Sequence, residues 1–242
     1  MTLTSSTHNR LKYALASPVA ANELIALLGV GQNPFGSHWY VDGTIGVSGD
    51  GTAPDTPFLT MAEAFAVVDD DDTIHLRGPI FENLTCPQKT GVTIIGSGRT
   101  VGHGSLTNTS EGQAPAWRTA SGVTTDPLLI LTTQGWTIAN ILMAPGSADA
   151  GIEIQSDSAA DPEKTGGNLR ILNCRFAQGK YAINCNGGSG YVTVAGCHFD
   201  GQTTCSIINT STSNALPLEW RVLDNFSGGA SATHIDAAAS KW

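Results

Sequence analysis

The sequence predicts an all-β chain wound as a parallel solenoid, and three observations carry the prediction. The first is a repeat. "LRILNCRF" at 169–176 returns as "VTVAGCHF" at 192–199, 23 residues on. That spacing is too long for a hairpin partner and too short for a second domain, and it suits one turn of a coil. Four further segments align with this pair: "IHLRGPIF" (74–81), "VTIIGSGR" (92–99), "WTIANILM" (136–143) and "WRVLDNFS" (220–227). The second observation is alternation. Column one (Ile74, Val92, Trp136, Leu169, Val192, Trp220) and column three (Leu76, Ile94, Ile138, Ile171, Val194, Val222) are apolar, while column two (His75, Thr93, Thr137, Arg170, Thr193, Arg221) is polar. Strands with one face inward and one outward show this period of two. The third is column five: Gly78, Gly96, Asn140, Asn173, Gly196 and Asp224. All are types that tolerate the left-handed backbone region, so each strand is expected to end in the same sharp bend. Strand, bend and strand, recurring at spacings of 18 to 44 residues, describe stacked coils. Neighbouring coils would lie about 4.8 Å apart, and none would be stable alone.

Composition agrees. Of 242 residues, 28 are glycine and only 14% are charged, which suits a turn-rich β protein. The net charge of −9 argues against nucleic acid as a partner, because phosphate contacts need Lys and Arg. No run approaches the roughly 18 apolar residues of a membrane span, and the N-terminus lacks the form of a signal peptide. Five cysteines occur without a CxxC pair, so a zinc site is not expected and buried thiols are.

Taken in chain order, residues 1–37 do not fit the repeat and form a separate N-terminal arm. Ser17 and Pro18 suit a helix start, Leu24, Ile25 and Leu28 share one face, and Gly29 closes it. "NRLKYALA" (9–16) suits a shorter helix before it, with Leu11, Tyr13 and Leu15 apolar. An isolated helix of about 11 residues is marginal in water and needs a surface to dock on. These six apolar residues are therefore the candidate partner contacts of the arm. The solenoid is expected over 38–242. Thr60-Met61-Ala62-Glu63 fits a capping box, which predicts a short helix over 61–68 covering the open N-terminal end of the stack. Asp69 to Asp72 read as a solvated turn into the first strand. "LLILTT" (128–133) reads as a second strand of the coil that carries Trp136, leaving 100–127 as an excursion.

The stretch from Tyr40-Val41-Asp42 through Gly49, Gly51, Pro54, Pro57-Phe58, Thr60 and Ala64 to Gly78, Glu82 and Asn83 resembles the opening of pectate-lyase-like β-helix proteins. The resemblance covers about 38–225. It implies a right-handed parallel β-helix; activity does not follow, because that fold hosts lyases, hydrolases, phage tailspikes and inert structural proteins. A short head segment ahead of a β-helix is similar to the plan of bacteriophage spike, fibre and capsid-decoration proteins. That similarity implies a non-catalytic virion component, made in a host cytoplasm, whose arm binds the major capsid protein or another virion protein. A homo-oligomer, with a trimer favoured, goes with it.

Candidate chemistry is sparse. A β-helix glycosidase needs two or three carboxylates within roughly 5–10 Å, and column two carries none. Glu153 in "GIEIQ" reads as a lone solvated acid. Gly102-His103-Gly104 matches one polygalacturonase motif, without the companion motifs in order. Asp69–Asp72, or Asp42 with Asp50 and Asp55, are weighed as cation ligands and set aside as turns. No catalytic residue, metal or cofactor is expected. The alternative is a tailspike-type protein that binds or degrades a host surface glycan. His103, Trp117 and Arg118 in the excursion, together with 155–168, are the candidate partner or ligand loops. Column four supplies a further candidate. Ile95, Leu172 and Leu223 are apolar where alternation points outward, and they either turn into the core or form a stripe against a neighbouring subunit.

Overall fold

The computed structural model describes residues 36–97, 115–123, 125–146, 149–155, 167–187, 190–210 and 220–228, and the backbone of 233–236. Strands are numbered along the chain. Sheet A has seven strands in the order β1 (His38–Asp42), β2 (Thr73–Arg77), β5 (Thr93–Gly96), β8 (Thr137–Ala139), β11 (Leu169–Leu172), β14 (Val192–Ala195) and β17 (Trp220–Leu223). Sheet B orders β3 (Pro79–Phe81), β6 (Ala116–Arg118), β9 (Leu142–Ala144), β12 (Arg175–Ala177), β15 (His198–Asp200) and β18 (Phe226–Gly228). Sheet C orders β4 (Leu84–Thr85), β7 (Leu129–Leu131), β10 (Ala150–Gln155), β13 (Tyr181–Asn186), β16 (Cys205–Asn209) and β19 (Thr233–Asp236). Among the described residues every ladder is parallel, and the chain visits A, B and C in turn. The molecule is a three-sheet parallel β-helix. β1 precedes six coils, each built of one strand from every sheet.

The bend between sheets A and B is where the sequence predicts it. Gly78, Asn140, Asn173, Gly196 and Asp224 have φ of 68°, 59°, 51°, 64° and 52°, all left-handed. Gly96 is the exception: its backbone is ordinary, and a Cβ there would lie 2.1 Å from the Asn140 carbonyl oxygen. It is glycine because a neighbouring coil passes close, not because the chain bends. The sequence alignment is also corrected by two residues in the first coil. Ile74 pairs with Ile94, and Leu76 with Gly96. The reason is that β2 continues two residues past the level of Gly96 before it bends at Gly78. The Ser97 N–H donates to the Leu76 carbonyl and the Ala116 N–H to the Gly78 carbonyl. A shift of two leaves every side chain on its original face.

The core is continuous. Ile74, Ile94, Ile138, Ile171 and Val194 form an inward ladder in sheet A, each fully buried. Full burial of such a side chain contributes roughly 1.5–3 kcal/mol. Phe176 stacks on Phe199 with ring centroids 5.6 Å apart. Cys174 and Cys197 repeat at the same corner of adjacent coils and are buried free thiols. Helix α1 (Met61–Val67) packs against β1 at one end of the stack. Thr60 and Glu63 form the predicted capping box. Glu82, beyond β3, adds a second cap by accepting from the Met61 and Ala62 N–H groups at 2.7 and 3.3 Å. Asn83 ties the first coil to the second: its amide donates to the Asp126 and Pro127 carbonyls and accepts from the Ala120 N–H. The Glu82-Asn83 pair is thus a brace between the cap and two coils.

Candidate functional site

The outer faces of the coils are where a binding or catalytic site would have to stand. Register fixes two outward rows on sheet A. One runs His38, Thr73, Thr93, Thr137, Arg170, Thr193, Arg221. The other runs Tyr40, His75, Ile95, Ala139, Leu172, Ala195, Leu223. At the β1 end the His75 ring stacks between two neighbours. Its centroid is 5.2 Å from His38 and 5.0 Å from Tyr40. His38 Nδ1 and His75 Nε2 are 2.9 Å apart, and Ser97 Oγ is 3.3 Å from His75 Nδ1. One ring must donate and the other accept, so the bond requires at least one neutral imidazole.

Burial first, and then the neighbouring His38 charge, lower the His75 pKa. The folded state therefore binds fewer protons than the unfolded chain near the ordinary histidine value of about 6.5. The stability this gives is present above that value and is lost as pH falls through it. The thermal midpoint of the native chain is expected to drop more steeply from pH 7.5 to 5.5 than that of His75→Gln. Identical slopes for the two proteins would show that the stacked pair does not set the dependence.

Sheet C carries a buried acid with polar neighbours on its outer row. Ile130, Glu153, Asn184 and Ile208 are in register on successive strands. Glu153 is 7% exposed, not a solvated acid as its isolation in the sequence suggests. Its carboxylate accepts from Asn184 Nδ2 at 3.0 Å, Asn186 Nδ2 at 3.2 Å and the Gln155 amide. Thr210 Oγ1 in turn donates to Asn184 Oδ1 at 2.8 Å. Burial holds Asp149, at the entrance to β10, above the usual carboxylate range, and the Glu153 charge adds to the effect. Three carboxamides around one carboxylate make a fixed donor set that locks the acid in place. The sequence hides this site because its members lie on different coils, with 31 residues between Glu153 and Asn184.

Other acids act as braces. Asp42 accepts from Thr44 N and Oγ1 and pairs with Arg77 at 3.4 Å. Asp50 accepts from Thr52 and Thr56, which lowers its pKa. Asp72 is 3% exposed, a correction to the solvated-turn reading; Asp69, Asp70 and Asp71 are exposed as expected. Among the described residues no three His, Cys, Asp or Glu side chains converge as a metal site would require.

Of the predicted contact residues, Trp117 is corrected most sharply. It does not project from a loop: it lies in β6 with its side chain fully buried, and its Nε1 donates to the Glu82 carbonyl at 2.8 Å. Arg118 is also a strand residue, opposite Phe81 in the ladder and half-buried. The range 100–127 is therefore not wholly an excursion. His103, the arm residues Leu11, Tyr13, Leu15, Leu24, Ile25 and Leu28, and most of 155–168 lie outside the described residues. "LLILTT" supplies β7, which belongs to the coil before Trp136 rather than to the one that carries it. Ile95, Leu172 and Leu223 face outward rather than into the core. The first two are half-buried, and Leu223 is 51% exposed.

No family model matches the chain, and no curated protein does. A solved structure similar to it is the pectin methylesterase from Aspergillus niger, at 13% identity and a TM-score of 0.35, over 87% of this chain and 90% of that one. A likeness at that level says nothing about chemistry here; the architecture rests on the strand ladders themselves.

Proposed function

We propose that this chain is a non-catalytic structural protein of a bacteriophage virion, a capsid decoration or short head spike held to the particle by residues 1–37. The observation that carries the reading is how the buried acids are used. Buried Asp72 and Glu153 and half-buried Glu82 accept hydrogen bonds that tie neighbouring segments together, and buried Asp42 pairs with Arg77 between β1 and β2. They serve rigidity, which suits a stacked structural element exposed on a particle. The apolar arm residues supply the contact to the major capsid protein or another virion protein.

The test is a chain lacking 1–37, offered to particles alongside the full-length protein. The truncated chain is expected to keep the β-sheet spectrum and to be absent from purified particles. Its incorporation at the full-length level would overturn the proposal. The alternative is a tailspike-type protein acting on a host surface glycan. The Glu153 cluster favours it, since a carboxylate ringed by carboxamides is chemistry that also suits sugar hydroxyls. Shortening of host capsular polysaccharide by the purified chain would select that reading.

A further inference from the structure

We propose that the outer face of sheet A is the interface of a two-fold homodimer in which two copies pack this face against one another. The inference does not depend on where the protein resides. Along β5, β8, β11, β14 and β17 the outward rows hold Thr93, Thr137 and Thr193, the apolar row from Ile95 to Leu223, and two arginines. In a chain of net charge −9, this stretch of described face carries Arg170 and Arg221 and no carboxylate. Both arginines are exposed and flank Thr193, so about 9.5 Å separates their strands. Between them lies a trough of about 320 Å³, with Asn168 and Tyr191 at its rim.

The charge that complements this trough is on the same edge of the same sheet, at the other end. The turn 69–72 leads directly into β2, and Asp69, Asp70 and Asp71 are exposed there. Lys89 engages Asp69 at 2.8 Å and Asp72 is buried, which leaves Asp70 and Asp71 as the remaining exposed carboxylates of the turn. A two-fold axis parallel to the strands reverses the order of strands and preserves their direction. Placed over β8, the fourth of seven, it sets β2 opposite β14 of the second copy and β1 opposite β17. The acidic turn before β2 then arrives at the strand that Arg170 and Arg221 flank. The same operation faces Ile95 with Leu172 and Tyr40 with Leu223. It also brings Ala139, the small residue of the central strand, against its own copy, where two sheets must approach to about 10 Å. A single operator therefore satisfies both the charges and the apolar row, which is what an isologous contact requires.

Six strand spacings make the face about 29 Å long. That footprint stands at the small end of specific interfaces, so micromolar rather than nanomolar association is expected. Sedimentation equilibrium of the full chain across the micromolar range should show reversible monomer and dimer, with the dimer weakening as salt is added. Arg170→Glu with Arg221→Glu should weaken the dimer about tenfold or more, and adding Asp70→Arg and Asp71→Arg should restore it. A monomer at all concentrations, a trimer, or a dimer indifferent to both Ala139→Arg and the charge exchange would each overturn the proposal. Unchanged circular dichroism of the variants separates loss of association from loss of fold.

Discussion

Trp117→Ala is expected to destabilise the protein by about 3–5 kcal/mol, the range for truncating a large buried aromatic. Urea unfolding followed by tryptophan fluorescence and by circular dichroism would measure it. The expectation comes from what the indole joins. Trp117 is fully buried in β6, its ring centroid is 6.3 Å from that of Phe65 in α1, and its N–H reaches the Glu82 carbonyl. Glu82 in turn caps α1 through Met61 and Ala62. Removing the indole opens a cavity between the cap helix and the second coil, and leaves a carbonyl without its donor. Trp117→Phe retains most of the packing and loses only the hydrogen bond, so about 1 kcal/mol is expected. A residue serving only a partner would show neither loss. Wild-type stability in Trp117→Ala would return Trp117 to the contact role its place in the sequence suggests.

That contrast shows what the sequence carries and what it hides. Inward and outward rows are legible because alternation is a local property of each strand. The corner is legible because left-handed backbone restricts the residue type at Asn140, Asn173 and Asp224. The α1 cap is legible because Thr60 and Glu63 are three residues apart. Everything that depends on which coil lies beside which is not. The register of the first coil slips by two without moving any residue to the other face, so hydropathy cannot detect it. β6 is hidden because a long segment separates it from β5, whose coil it completes. Glu153 looks solitary until the β10–β13 ladder places Asn184 beside it. The sheet C strands, from two to six residues long, never align as a repeat, and so the outer row most altered by the structure is the one the sequence leaves unread.

Asp72→Ala is the second large effect expected, a loss of about 3–5 kcal/mol, because one buried carboxylate serves three donors. Asp72 accepts from the Ser37 N–H, from Trp39 Nε1 at 2.8 Å and from the Asp69 N–H at 2.7 Å. Hydrogen bonds to a charged group contribute about 1.5–3 kcal/mol each, and a buried donor left unpaired costs its desolvation. The three do not sum, since Ser37 and Asp69 can regain water once the turn loosens. Asp69→Ala is the control within the same acidic run. Its carboxylate is half-exposed and pairs with Lys89 at the surface, where solvent and salt screen the contact. The position of Asp72 gives the result meaning beyond stability. Ser37 and Trp39 bracket the start of β1, where the arm 1–37 meets the solenoid. Loss of Asp72 should therefore release β1 before the remaining coils unfold, seen as early amide exchange at residues 38–42 with sheets B and C still protected. Uniform loss of protection across all three sheets would instead make Asp72 a general brace of the stack, with no special hold on the strand that joins arm to coil.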